Sequence, residues 1–498
     1  MIPRQGSGLT RGAVVAVLVF LWLAGTLRAC LIWMHDPLYA YANSYDQTRY
    51  TACFRFYPDR APDVAPELNS PEAPYSHFRF MPTGEAMCYW SSELAFGGAT
   101  ALIWKSAELF GGGRVHDARW VGTLRWLALL AVSIAFSRAW LVRGNARAAL
   151  ANAALVPLVF ADPGNTLYLS TFYAEWTALL AVYALAGLVL LWRGEARSRR
   201  RFVLLALAAF VLATSKIQHM LLPLALGLAW LMLDRARLGR MSWRAAALLS
   251  GAFLGAYFQF VQIGREGLMM DTIRQYNRAD VVFTALVPFA EDPRALLEEI
   301  GIDPACARYA GKPAWQLPDL PQRACPGLVN FTRGREIGAL LRHPPIAVAI
   351  AVRGVRALDP WLADNIGHVE GQRFAKLPAS VPTVGRVLHA HPAVQLVLLA
   401  LPLVVLAFLL VRPRLRAGAA SLEATALVVV TMTATLGVTL LGDGLADTAK
   451  QGHLVIDAAL AWLVAGLMMC APAGRRSLKQ AADALAAPVS PTRSRTLR

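Results

Sequence analysis

Acidic residues are scarce in this chain of 498 residues: 32 Asp plus Glu stand against 49 Lys plus Arg, and charged residues of both signs make up 16% while 56% are hydrophobic. A soluble globular domain carries about one quarter charged residues, so the composition argues against one and for an all-α polytopic membrane protein. Cysteine is scarce as well, six in all, and no Cys-x-x-Cys pair or His-rich metal signature occurs. There is no Walker A sequence or Gly-rich phosphate loop, which leaves nucleotide-driven chemistry without support. The formal charge of +17 is spread in short runs between apolar stretches, as at 193–201 and 235–244, and no separate basic domain exists. That distribution fits cytoplasmic loops of a membrane protein and argues against nucleic acid as a partner.

Long apolar stretches are abundant. At about 20 residues per span, about ten transmembrane helices are expected, near 11–34, 119–139, 147–161, 173–192, 201–215, 218–234, 244–263, 392–412, 420–441 and 453–472. The first stretch exceeds the apolar core of a cleaved signal and reads as an uncleaved anchor. Leu27-Arg28-Ala29-Cys30 departs from a lipoprotein site because Arg28 stands at a small-residue position. With the N-terminus inside, every even-numbered span exits into a basic segment: Arg138/Arg143/Arg147, residues 193–201, Arg235/Arg237/Arg240/Arg244, Arg412/Arg414/Arg416 and Arg475/Arg476/Lys479.

The resulting organisation has an N-terminal anchor at 1–34, a first extracytoplasmic loop at 35–118 and transmembrane helices 2–7 within 119–263. A large extracytoplasmic loop at 264–391, helices 8–10 within 392–472 and a basic cytoplasmic tail at 473–498 follow. Loops this long are expected to be structured or functional. Their apolar stretches at 89–110 and 346–358 are interrupted by Glu93, Lys105 and Arg353, which suits helices lying along the interface, a missed pair of spans being the alternative. The proline-rich run at 58–82 implies turns and extended chain. Cys53 and Cys88 share the first loop, Cys306 and Cys325 the second; disulfides within each loop are expected in an oxidising compartment, free thiols being the alternative.

Polar residues gather at the predicted outer helix ends in four groups: Asp46 with Arg49; Asp162 through Glu175, including Asn165 and Tyr173; Lys216, Gln218 and His219; and Asp443, Asp447, Lys450 and His453. Ionisable residues at membrane depth mark function or a wet cavity, and four helix ends at one level can converge on one site. A carboxylate there suits general-base work on an acceptor hydroxyl, and Lys216 and His219 suit a phosphate. If helical, Asp443 and Asp447 share a face, and a divalent cation between carboxylates is one option. Each group also has a plainer reading: a solvated Asp46, a helix cap at Asp162 or Asn165, a snorkelling Lys216, and an ion-pair network at Asp443, Asp447 and Lys450.

These motifs resemble the GT-C superfamily of integral-membrane glycosyltransferases, and more narrowly the bacterial surface-glycan hexose transferases of the WsfD type. The resemblance rests on Asn43-Ser44-Tyr45-Asp46, the run from Asn165 to Glu175, Lys216-Ile217-Gln218, the run from Gly442 to Lys450, and the outer segments Val282-Phe283-Thr284 and Leu297-Glu298-Glu299-Ile300-Gly301. It implies a GT-C-like architecture, Asp46 as the catalytic acid of the first loop, and an outer cavity entered from the membrane by a polyprenyl-phosphate sugar donor. The first loop departs from the family in having Asp46 with Asp36 ten residues earlier, and no Asp-x-Asp pair.

The expected function is transfer of a sugar to an extracytoplasmic cell-envelope glycan or lipid-linked acceptor, in a bacterial cytoplasmic (inner) membrane. Lys216, Gln218 and His219 are expected near the donor phosphate, with Asp162, Glu175, Asp443 and Asp447 shaping the site. Two alternatives are a glycan polymerase or ligase using lipid-linked oligosaccharide, and a lipid or solute transporter. The transporter reading lacks the internal repeat that such folds show.

Overall fold

The computed structural model describes residues 11–41, 44–59, 75–82, 88–239, 241–265, 267–358, 368–370, 377–411 and 419–470. Asn43, most of the proline-rich run, Arg240, Arg412, Arg414, Arg416 and the basic tail lie outside the described residues. Helix α1 (Arg11–Trp33) leads into the first long segment, with strands β1 (Tyr39–Ala40), β2 (Phe56–Pro58), β3 (His77–Phe80) and β4 (His116–Asp117) and helices α2 (Ser44–Thr51) and α3 (Leu94–Leu109). Next come α4 (Arg119–Val142), α5 (Ala146–Leu155), the single turn α6 (Pro163–Thr166), α7 (Glu175–Leu191), α8 (Arg199–Ser215), α9 (Leu221–Leu238) and α10 (Trp243–Arg265). The second long segment holds α11 (Gly267–Asp280), α12 (Pro293–Glu299), α13 (Pro321–Ala324), α14 (Arg333–Arg342), α15 (Pro344–Ala357), β5 (His368–Val369) and α16 (Val384–Ala390). Helices α17 (Pro392–Val411) and α18 (Ala419–Asp443), the single turn α19 (Thr448–Gln451) and α20 (His453–Cys470) follow.

Seven of these helices are long and apolar enough to cross a membrane, and α5 with its continuation to Phe160, and α7, are shorter apolar helices. With α8, a helix occupies each of the ten stretches expected to span: the chain is an all-α polytopic membrane protein. The pattern of exposure on α1 shows the bilayer acting as solvent. Phe20, Leu23, Leu27 and Leu31 recur at helical spacing on one exposed stripe, while Val14, Leu18, Ala29 and Ile32 are buried against the bundle. Where Pro157 removes an N–H donor, α5 widens into a π-helical turn, Val156–Phe160. Arg28 of α1 donates to the Pro157 carbonyl at 2.7 Å. Gly25 permits the approach, since a Cβ there would lie 2.7 Å from Val156 Cγ1.

The two ends of the bundle differ in kind. At one, short connections carry arginine, and the buried Arg244 pairs with Glu423 at 2.9 Å while Arg143 reaches Glu195 at 3.1 Å. At the other, the two long segments meet each other. Strand β1 pairs antiparallel with β5, and the Glu370 carboxylate accepts from the Ser76 N–H at 2.9 Å. Strands β2, β3 and β4 form an antiparallel sheet whose Phe56 and Phe78 pack on Trp104 of α3 and on Phe172. The second segment has a core of its own, including Val282, Phe283, Leu297, Tyr309 and Leu328. A disulfide closes a loop in each segment, Cys53–Cys88 and Cys306–Cys325.

Candidate active site

Asp46 sits in the first turn of α2, directly after the first apolar helix, where a carboxylate complements the positive end of the helix dipole. One of its oxygens takes the Arg49 guanidinium from the next turn of the same helix, and the other takes Lys450 Nζ at 2.8 Å. Lys450 also meets Asp447 Oδ2 at 2.5 Å and lies 5.4 Å from the centre of the Tyr173 ring. The side chains of Asp46 and Asp447 retain 14% and 11% exposure while that of Lys450 retains 3%, so the lysine is the most deeply buried of the three.

The backbone around Lys450 is held by a glycine. Gly444, at φ +61°, ends α18, and a Cβ there would fall 2.6 Å from Thr284 Oγ1. The adjoining Leu445 N–H donates to that same hydroxyl at 2.8 Å, which pins the turn to the second long segment. The condition for a common helical face of Asp443 and Asp447, one helix through both, is not met. Asp443 is the last residue of α18 and Asp447 precedes α19, with the turn between them.

Glu175 begins α7 and accepts from Lys216 Nζ at 2.9 Å, at the break between α8 and the 3-10 turn Ile217–Met220. Gln218 donates to Gln451 Oε1 at 2.5 Å, and Gln451 in turn donates to Asp443. His219 is bonded through Nδ1 to Ser215 Oγ at 2.9 Å. Of the residues expected at the site, Asp46, Arg49, Tyr173, Asp447 and Lys450 form one contact group, and Glu175–Lys216 and Gln218–Gln451–Asp443 border it. Asp162 and Asn165 are engaged elsewhere: Asp162 caps α6, pairs with Arg28 at 2.7 Å and accepts from the Val384 N–H, and Asn165 donates to Asp457 at 2.7 Å. These contacts fix the turn between α5 and α7.

Electrostatics at this end are set by close pairing. Burial by itself raises the Asp46 carboxyl, but Lys450, Arg49 and Lys216 outweigh it and hold the group well below the usual carboxylate range. Burial lowers Lys450, and Asp447 and Asp46 outweigh that and raise it well above the ordinary ammonium value. Nearby Asp280 behaves oppositely: burial, then the charges of Asp443 and Asp447, push it well above its ordinary value while its Oδ1 accepts from the Ala314 N–H at 2.7 Å. Among the described residues, no group of three or more His, Cys, Asp or Glu side chains is placed to hold a metal ion.

One buried residue that organises the site was not expected from sequence. The Arg125 guanidinium, fully buried in α4, donates to the carbonyls of Tyr168 at 2.7 Å, Leu169 at 3.0 Å, Tyr173 at 3.1 Å and Thr171, and pairs with Glu93. It gathers the carbonyls of the turn that presents Tyr173 and Glu175. The signal was there, an arginine inside the apolar run Leu124-Arg125-Trp126-Leu127.

Fold and site together define a polytopic membrane protein with a charged, part-buried site at one end of its helix bundle. The model of the YfdI N-terminal transmembrane domain family matches residues 89–482, and the chain belongs to that family. The match includes Glu175, Lys216, Asp447 and Lys450, and begins after Asp46. No curated protein and no solved structure matches the chain.

Proposed function

We propose that the chain is a GT-C-type glycosyltransferase that moves a sugar from a polyprenyl-phosphate donor to an extracytoplasmic glycan or lipid-linked acceptor. Membership in a family of glycosyltransferase-like membrane proteins supports the class. The observation that carries the reading is the Asp46 carboxylate, part-buried at one end of the bundle and held at 2.8 Å by a lysine from the far end of the sequence.

In this reading the bond between the sugar C1 and the donor phosphate oxygen breaks, and the lipid phosphate departs with the electron pair. The acceptor oxygen bonds to C1 and its proton passes to Asp46. A carboxylate held below its usual range is a weak base, which suits proton transfer late in the step, after positive charge has grown on the sugar. Lys450 and Arg49 fix the carboxylate's orientation, and Glu175 holds Lys216 at the rim. Because Lys450 and Arg49 already neutralise the carboxylates, the reading has no need of a divalent cation, and transfer is expected to persist in chelator.

Two features support an orientation with this end outside a bacterial cytoplasmic membrane. The arginine-bearing short connections lie at the opposite end, as positive-inside topology requires, and both disulfides lie in the long segments. The donor class is tested by offering purified protein monosaccharide-carrying and oligosaccharide-carrying polyprenyl phosphates and following release of the lipid product. Turnover of the monosaccharide donor is expected. Turnover of the oligosaccharide donor alone would replace this reading with a polymerase or ligase.

A further inference from the structure

The cations of the site, Lys216 expected at the donor phosphate among them, are already paired. Lys216 is bound to Glu175, Lys450 to Asp46 and Asp447, and Arg49 to Asp46. A phosphate seated on any of them would share its cation with a carboxylate already at hydrogen-bond distance. Cations without a carboxylate partner among the described residues stand close by on α15, at Arg353 and Arg356. They line a groove of about 1160 Å³ between α15, the segment around Pro288 and Phe289, and the turn residues Leu445 and Ala446.

The shape of the groove follows from how α15 packs. Ile346, Ile350 and Gly354 recur every four residues and face the protein, Gly354 fitting closely against Leu440. That leaves Val348, 63% exposed, and Val352, 49% exposed, to form an apolar strip beside Phe289 and Pro288, with both arginines on the last two turns of the helix. One wall, Leu445–Ala446, is the turn between Asp443 and Asp447, so the groove adjoins the catalytic group through a single strand of chain. An apolar track ending in two exposed guanidinium groups is complementary to an apolar chain ending in a phosphate.

We infer that this groove seats the lipid phosphate donor, with the hydrocarbon chain along Val348, Val352 and Phe289 and the phosphate on Arg353 and Arg356. The inference rests on the proposed glycosyl transfer for its choice of lipid, and assigns the phosphate to α15 in place of Lys216 and His219. Bound there, the donor presents its sugar along the turn that carries Asp447 toward Asp46.

The test is binding of geranylgeranyl phosphate to the purified full-length protein in detergent, for wild type, Arg353→Gln/Arg356→Gln and Val348→Trp, each checked for monodisperse elution. Wild type is expected to bind, the double variant to lose at least about tenfold in affinity as its charge-assisted hydrogen bonds are removed, and Val348→Trp to weaken binding by filling the track. Phosphatidylglycerol and inorganic phosphate serve as competitors. Equal competition by phosphatidylglycerol would show a general lipid contact and overturn the assignment, as would unchanged affinity in both variants. Unchanged affinity with sugar transfer intact overturns the groove and leaves the proposed function standing; wild-type protein that neither binds lipid phosphate nor transfers sugar overturns both.

Discussion

Asp46 carries the heaviest demand at the scale of single residues. Asp46→Asn keeps the shape and removes the charge, so kcat is expected to fall about 10²–10⁴-fold, the usual worth of a general base, with KM little changed; steady-state kinetics with a labelled donor measures both. The two lysines and the arginine around it outweigh burial and hold the carboxylate below its usual range, so the acid limb of kcat/KM is expected below about pH 4, the ordinary carboxylate value. A limb near pH 6 would assign the essential group elsewhere. Asp280 gives the opposite sign. Its folded-state pKa is raised, so its contribution to stability is fully present below the unfolded value and is lost as pH rises toward the folded one. Asp280→Asn keeps an acceptor for the Ala314 N–H and is expected to flatten the fall in thermal stability across that window, read by unfolding scans at a series of pH values. Asp46, Lys216, Glu175 and Lys450 were legible in the sequence because charge is rare beside apolar runs. Their pairings were not, because Asp46 and Lys450 lie 404 positions apart and only the fold brings them together.

Helices were the most legible elements, since a membrane span announces itself by length and apolarity, and all ten expected stretches are helical. What composition could not show is how helices are interrupted. The π-helical turn at Val156–Phe160 answers to Pro157 and to Arg28 on another helix, and the break after Asp443 answers to Thr284 in the second long segment. The turn from Leu167 to Ala174 is likewise set from outside, by Arg125. Arg125→Met leaves Glu93 buried without its cation and several carbonyls without their donor, for which a loss of about 3–5 kcal/mol is typical. A large drop in melting temperature is expected, together with weakened transfer by whatever protein remains folded. A melting temperature within a degree of wild type would show that the turn holds itself.

Across the whole molecule, two kinds of surface divide the labour. An apolar belt such as the Phe20 to Leu31 stripe of α1 faces lipid, while the two long segments meet at one end and chain from both halves comes together at a single site. Arginine runs are read loop by loop in a sequence, whereas the site needs helix ends from α2, α7, α8 and α19 together. Whether this end of the bundle transfers sugar decides the function. The most direct measurement is incorporation of radiolabelled hexose, from a panel of polyprenyl-phosphate hexoses, into membrane lipid and glycan by proteoliposomes carrying wild type or Asp46→Asn. Incorporation by wild type from at least one donor, lost in Asp46→Asn protein that elutes and melts like wild type, is the predicted result. Undiminished incorporation by Asp46→Asn, or none by well-folded wild type from any donor, would contradict it.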